Sequence, residues 1–303
     1  MESADSAFVY KNLGAPYVAY TKLEQATPPG SAYARHDCAA GSIRRLVRRE
    51  SPDGTHWSDP PLIVLTPDWR DAHDTQFMDI GPVREGRGFV ATVAVFHALN
   101  QQMDIQFAGS LDGKRWFRPI PRVPCVPNGP LGEPGGGHIF QGHSLVVDGD
   151  RLHLYYAALA GLHSDIYWED STREIYIHGG LGRASWDRGR LWAAVPAVGG
   201  PHEGYLTTPA RYDGDGRNQN AGKRLYINAL TVQDGEISAE LVPLQGGSNG
   251  SALEGFARHE CRAFRGDSKC VQLTWQGGER CPQEGWFVRL YIRSARLYGF
   301  EWR

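Results

Sequence analysis

The chain has 303 residues, 41% of them hydrophobic and 22% charged, with a formal net charge of −2. That length allows one large or two ordinary domains, and the balance favours a packed core over disorder. No apolar run approaches the roughly 20 residues of a membrane span. The one basic group, Arg44, Arg45, Arg48 and Arg49, points to both faces of a strand, which speaks against a nucleic-acid partner.

Met1 to Tyr10 has neither a charged start nor an apolar core, so no signal peptide is expected, and cytoplasmic and exported locations both stay open. Phe8–Lys11, Pro16–Leu23 and Ser42–Glu50 read as strands, rich in Val, Ile, Tyr and Phe. The turn Ser51-Pro-Asp53-Gly54-Thr-His-Trp57 follows them. Gln76–Arg84, Phe89–His97 and Met103–Ser110 form a second set, closed by Ser110-Leu-Asp112-Gly113-Lys-Arg-Trp116 and a strand at Trp116–Pro119. A third set, Ile139–Val147, Arg151–Ala158 and Glu174–Ser185, ends in a degenerate copy, Ser185-Trp-Asp187-Arg-Gly189-Arg-Leu-Trp192. Asp-Gly is a strong hairpin signal, and such a turn repeated about every 60 residues marks propeller blades. Three units fit, whereas propellers close with about four to eight blades. The expectation is an N-terminally incomplete propeller, or one completed by a partner chain or oligomer.

Beyond residue 195 the repeat stops. Gly204–Pro209, Lys223–Leu230, Gly235–Val242, Lys269–Gln276 and Trp286–Trp302 alternate like sandwich strands. The fold class expected is all-β: propeller blades over 1–194 and a β-sandwich over 195–303. Cys38, Cys125, Cys261, Cys270 and Cys281 contain no C-x-x-C pair, which gives structural zinc no support; the last three allow one disulfide.

Asp104-Ile-Gln-Phe-Ala-Gly-Ser110-Leu-Asp-Gly-Lys-Arg-Trp116 resembles the strand and turn of five-bladed glycoside hydrolases of families 32 and 43. Leu181-Gly182-Arg-Ala-Ser185, Leu225-Tyr-Ile-Asn228-Ala, Gly266-Asp267-Ser268 and Ala295-Arg-Leu-Tyr298-Gly-Phe300 resemble their propeller exit and sandwich. The resemblance covers roughly residues 40–303. It implies a five-bladed type of propeller and action on a furanoside or related oligosaccharide or polysaccharide. The family's Trp-Met-Asn-Asp-Pro and Arg-Asp-Pro motifs do not occur, and Glu260-Cys261 matches its Glu-Cys pair only by letters, so no catalytic role carries over. The alternatives are a non-catalytic carbohydrate-binding module and a metal-dependent sugar lyase.

In an antiparallel blade, the start of the first strand, the end of the second and the loop after it share one end. That end collects His73, Asp74 and Gln76 from one blade and Glu133, His138 and Gln141 from the next. It adds His97 and His163 from strand ends, and Arg35, His36, Asp37 and Asp165 from loops. Glycoside hydrolysis needs one ionised and one protonated carboxyl. Asp74 is the expected base or stabiliser, Glu133 the acid and Asp37 the spare, with His36, His73, Gln76, His97, His138, Gln141, His163 and Asp165 binding substrate. No cofactor is expected, although His73, His97, His138 and Asp74 offer a divalent metal suitable ligands. Trp69, Phe77 and Trp168 offer faces for a sugar ring, or core packing.

Overall fold

The computed structural model describes residues 2–27, 37–164, 178–197, 202–209, 218–244, 247, 249–283 and 285–303. The chain is all-β with a curled sheet, and a 3-10 turn stands at Arg258–Glu260. It divides into Met1–Arg188 and Gly189–Arg303.

In the first unit, β1 (Glu2–Lys11), β2 (Tyr17–Ala26), β3 (Ser42–Ser51) and β4 (Leu62–Leu65) pair in chain order as one four-stranded antiparallel sheet. A seven-stranded sheet follows. One half is the antiparallel run β5 (Thr75–Glu85), β6 (Gly88–His97) and β7 (Gln102–Ser110). The other is β8 (His138–Gln141), β9 (Val146–Asp148), β10 (Arg151–Leu159) and β11 (Gly179–Asp187). The halves meet through one parallel pair, Met103 with His138. The expected strand Ile139–Val147 is two pieces, because the chain leaves the ladder after Gln141 and only β9 returns to β10. The start of the expected strand Glu174–Ser185 lies outside the described residues.

The two Asp-Gly turns have one construction. Ser51 Oγ accepts from the Asp53 and Gly54 amides at 3.3 and 2.8 Å, and Asp53 Oδ1 accepts from Thr55 and His56 at 2.8 and 2.9 Å. Ser110 and Asp112 repeat this at 3.3, 2.9, 2.7 and 2.9 Å. Both glycines are left-handed, at φ 83° and 71°. They follow strands of different sheets, Ser51 ending β3 and Ser110 ending β7. Only the second turn is docked. Tyr20 Oη donates to Gly113 O at 2.6 Å, and Arg48 Nη1 donates to the same oxygen at 3.1 Å. An added Cβ at Gly113 would meet Arg48 Nη1 at 2.8 Å, whereas at Gly54 it meets only the Tyr17 ring at 3.5 Å. Gly54→Ala should therefore cost about 1–2 kcal/mol for the left-handed backbone. Gly113→Ala should cost at least about 1 kcal/mol more, because it disturbs a buried charged hydrogen bond. Urea unfolding of both variants measures the difference, and equal costs would remove the docking role.

One core cluster joins the two sheets: Val18, Tyr20, Leu46, Val64, Phe77, Ile80, Val93, Val95 and Trp116, with neighbours, all bury their side chains together. Phe77 is therefore a core residue.

In the second unit, β12 (Glu203–Pro209), β13 (Leu225–Pro243), β14 (Asp267–Leu273) and β15 (Trp286–Trp302) form one antiparallel sheet in the order β12-β15-β13-β14. The expected strands Lys223–Leu230 and Gly235–Val242 are one element, β13, whose pairing with β15 shifts between Thr231 and Glu236. Alternation holds along it: Leu225, Ile227, Ala229, Ile237, Ala239 and Leu241 are buried, against Val288, Leu290 and Ile292 of β15. Among the described residues there is no second sheet; extended segments join β13 instead, through Leu253 with Leu241 and Phe264 with Ile237. All five cysteines are free.

Candidate functional site

The site grows from strand faces. On β3, Arg44, Leu46 and Arg48 project to one side and are fully buried. On β5 the ladder slips at Met78, so that Gln76 faces Phe96 and Asp79 faces Ala94 of β6. Phe96 and Ala94 are two apart, so the bulge brings Gln76 and Asp79 onto one face, where strict alternation would separate them.

Arg44 organises the first cluster. Its Nη1 and Nη2 fork onto the two oxygens of Asp37 at 2.6 Å each, and Nη1 also reaches Gln76 Oε1 at 2.8 Å. Its guanidinium lies 5.1 Å from the Phe96 ring centre, and the His163 ring lies tilted against the same ring at 4.9 Å. His138 lies 6.0 Å from His163, with Nδ1 donating to Gly161 O at 2.6 Å. Burial would raise the Asp37 pKa, but the hydrogen bonds and charge of Arg44 outweigh it and hold the carboxyl below its usual range. His163 is pushed down to about 4, first by burial and then by Arg44 and His138, so it stands as a neutral imidazole.

The second cluster centres on Asp79. Gln141 Nε2 donates to its Oδ1 and to Thr92 O at 3.3 Å. Burial lifts the Asp79 pKa to about 7 against the opposing pull of Gln141, the Ala94 amide and Lys22. The Tyr10 phenol is raised too, by burial and then by Asp79. Lys22 is buried and 3.4 Å from Glu24, and its charge is felt by Asp79, Cys38 and His163, so it ties the two clusters together.

A third network holds the ends of β5–β7. His97 Nε2 pairs with Asp104 at 2.8 Å, which raises the histidine above its usual range. Asp104 accepts from Gln106 at 3.3 Å, Gln106 accepts from Arg118 at 3.0 Å, and Arg118 reaches Asp71.

The structure thus brings together Asp37, Gln76, His138 and His163, and sets Gln141 on Asp79. Asp74 immediately precedes the Thr75–His97 pair, at the same end of β5 as Gln76, but its Oδ2 accepts from the Leu99 amide at 3.1 Å, a turn-capping contact. Glu133 is exposed on a turn in which its carbonyl accepts from Gly136 at 2.8 Å, and His73 is exposed. His36, Asp165, Arg35 and Trp168 lie outside the described residues. Arg44, Lys22 and Asp79 have no place in the expected set. For Arg44 a signal existed, since it alternates with Leu46 and Arg48 opposite the Val18 and Tyr20 face of β2.

Of the four expected metal ligands, His97 turns to Asp104, His138 to Gly161 and Asp74 to Leu99. Asp37, Cys38 and His163 do place three ligand atoms within 4.8 Å of one another. A cation there would have to displace Arg44 from both Asp37 oxygens, and burial raises the Cys38 thiol, which disfavours the thiolate a metal needs.

These elements define an all-β chain with a buried array of charged and amide side chains in its first unit. No family model matches the chain, and no curated protein matches it. Among solved structures it is similar to glycoside hydrolases. One, described only as a glycoside hydrolase, shares 14% identity at a TM-score of 0.39, over 64% of this chain and 49% of its own. A thermostable family-43 glycoside hydrolase shares 12% at 0.37, over 52% and 49%. Zg3597, a family 117 glycoside hydrolase of the marine bacterium Zobellia galactanivorans, shares 11% at 0.41, over 95% and 83%. The chain spans about half the length of the first two (49% of each). Likeness at that level says nothing of activity, which has to rest on the side chains.

Proposed function

We propose that this chain is a glycoside-hydrolase-like protein acting on a furanoside or related oligosaccharide or polysaccharide, and that its two units are propeller blades and a sandwich-like domain. One observation carries the reading: two buried carboxyls are held in opposite ionisation states by their own surroundings. Arg44 keeps Asp37 ionised, and burial keeps Asp79 protonated up to a pKa of about 7. Cleavage of a glycosidic bond needs that division of labour, a proton for the leaving oxygen and a negative charge beside the developing oxocarbenium ion. Asp79 takes the first role and Asp37 the second, while Gln76, Gln141 and the neutral His163 supply hydrogen-bonding groups for hydroxyls.

The test is release of monosaccharide from a furanoside panel. Asp37→Asn and Asp79→Asn should each lower kcat by about a thousandfold, the middle of the usual range for acid–base groups, with far-UV circular dichroism confirming the fold. Glu133→Gln, on its exposed turn, should keep wild-type turnover. Absence of turnover on every furanoside, or full activity in the two folded aspartate variants, would reject the assignment.

A further inference from the structure

A second site lies in the same unit, at the Arg118 end of the third network. β4 and the segment from Trp116 to Arg122 enclose a cavity of about 280 Å³, lined among others by Ile63, Arg70, Trp116, Phe117, Arg118 and Arg122. That is close to the lower end of ligand-pocket sizes, about 300 Å³, and suits one ring. Its walls are mixed: Ile63 and Phe117 expose 44% and 56% of their surface, so apolar groups face solvent beside the guanidiniums.

The charge here is unbalanced. Arg122 pairs with Asp68 at 2.5 Å and Arg118 with Asp71, which leaves Arg70 with no ion pair among the described residues. Arg118 is 2% exposed and its Nε has no hydrogen-bond partner. An unpartnered donor on a buried guanidinium is costly, and an incoming acceptor relieves it. Arg70, which lines the cavity, has its guanidinium 4.4 Å from the ring centre of the adjoining Trp69, and Trp69 is 84% exposed. A tryptophan placed so openly contributes little to the core.

We propose that this cavity binds a carboxylate-bearing sugar residue of an acidic glycan. The sugar's C–H face packs on Trp69 and Phe117, and its carboxylate engages the fork of Arg70, a geometry guanidinium suits and lysine does not. The inference is independent of the hydrolase assignment, because none of these residues belongs to the Asp37–Asp79 array.

Titration calorimetry of the whole chain with trigalacturonate, against maltotriose as the neutral control of equal length, tests it. The expected result is binding of trigalacturonate alone, weakened at least about tenfold by Trp69→Ala and by Arg70→Gln, as loss of a charge-assisted contact implies. Affinity should also fall as salt rises. Equal binding of maltotriose, binding unaffected by both substitutions, or no binding of either sugar would each overturn it. Trp69 and Arg70 are exposed, so neither substitution threatens the fold.

Discussion

Between pH 4 and pH 8, the stability of the wild-type protein should fall by about 4 kcal/mol relative to Asp79→Asn. Burial pushes Asp79 up to about 7 in the folded chain, against 3.8 for an unperturbed aspartate. Each unit of difference is worth about 1.36 kcal/mol. The sign follows from proton counting. Between those two values the folded state keeps its proton and the unfolded chain has lost it, so stability declines as pH rises through the window. Above about 7 the wild type carries a charge in a site that burial disfavours, whereas an asparagine there is neutral at every pH. The substitution is also well tolerated by the neighbours: Gln141 Oε1 has no hydrogen-bond partner, so its amide can turn to accept from the new side-chain N–H. Denaturant unfolding of both proteins at the two pH values measures the gap. A gap that does not change with pH means that Asp79 holds no proton, and its role as acid falls with it. Gain of stability at pH 8 together with loss of turnover is the combination expected of a catalytic carboxyl kept protonated at a cost to the fold.

What the sequence could reveal follows from which interactions are local. The Ser-x-Asp-Gly turns bond to their own backbone within three residues, so their letters suffice to specify them, and both copies form. The strands around them are legible for the same reason, as alternation or as dense β-branched and aromatic runs. The site is not local. Asp79 shares a face with Gln76 only because of the slip at Met78, and a bulge leaves no mark in a run that is buried on both faces, as Thr75–Pro82 is. The aspartate was therefore invisible to a period-of-two reading. Asp74 and Glu133 are carboxylates near strand starts, where residues that finish turns also accumulate, and both make turn contacts. The break within Ile139–Val147 and the fusion of two expected strands into β13 have the same origin, since both depend on partners far away in the chain.

Arg44→Met should destabilise the protein by about 3–5 kcal/mol, the range for breaking a buried ion pair from one side. An exposed pair would cost about 1 kcal/mol or less, so the size of the loss separates the two cases. Arg44 and Asp37 have side-chain exposures of 1% and 2%, and the guanidinium also satisfies Gln76 Oε1. Methionine fills the space of the stem, but it strips the guanidinium fork from a buried carboxyl that keeps the Ala39 amide, while Gln76 Oε1 keeps the backbone amide of residue 44. The carboxyl escapes by taking up a proton. Wild-type Asp37, with its pKa held low, contributes stability above the unfolded value and loses it as pH falls through the folded one; in the variant that contribution disappears, and burial alone now pushes the pKa upward. Any residual turnover should then be confined to a narrower pH range, because Asp37 has to lose its proton before Asp79, at about 7, loses its own. Pairing the change with Asp37→Leu should restore most of the lost stability, since replacing both partners by apolar groups is often neutral, while leaving turnover abolished. A single variant that unfolds like the wild type would show that the pair contributes nothing, and a double variant that still hydrolyses furanosides would take the negative charge of Asp37 out of the reaction.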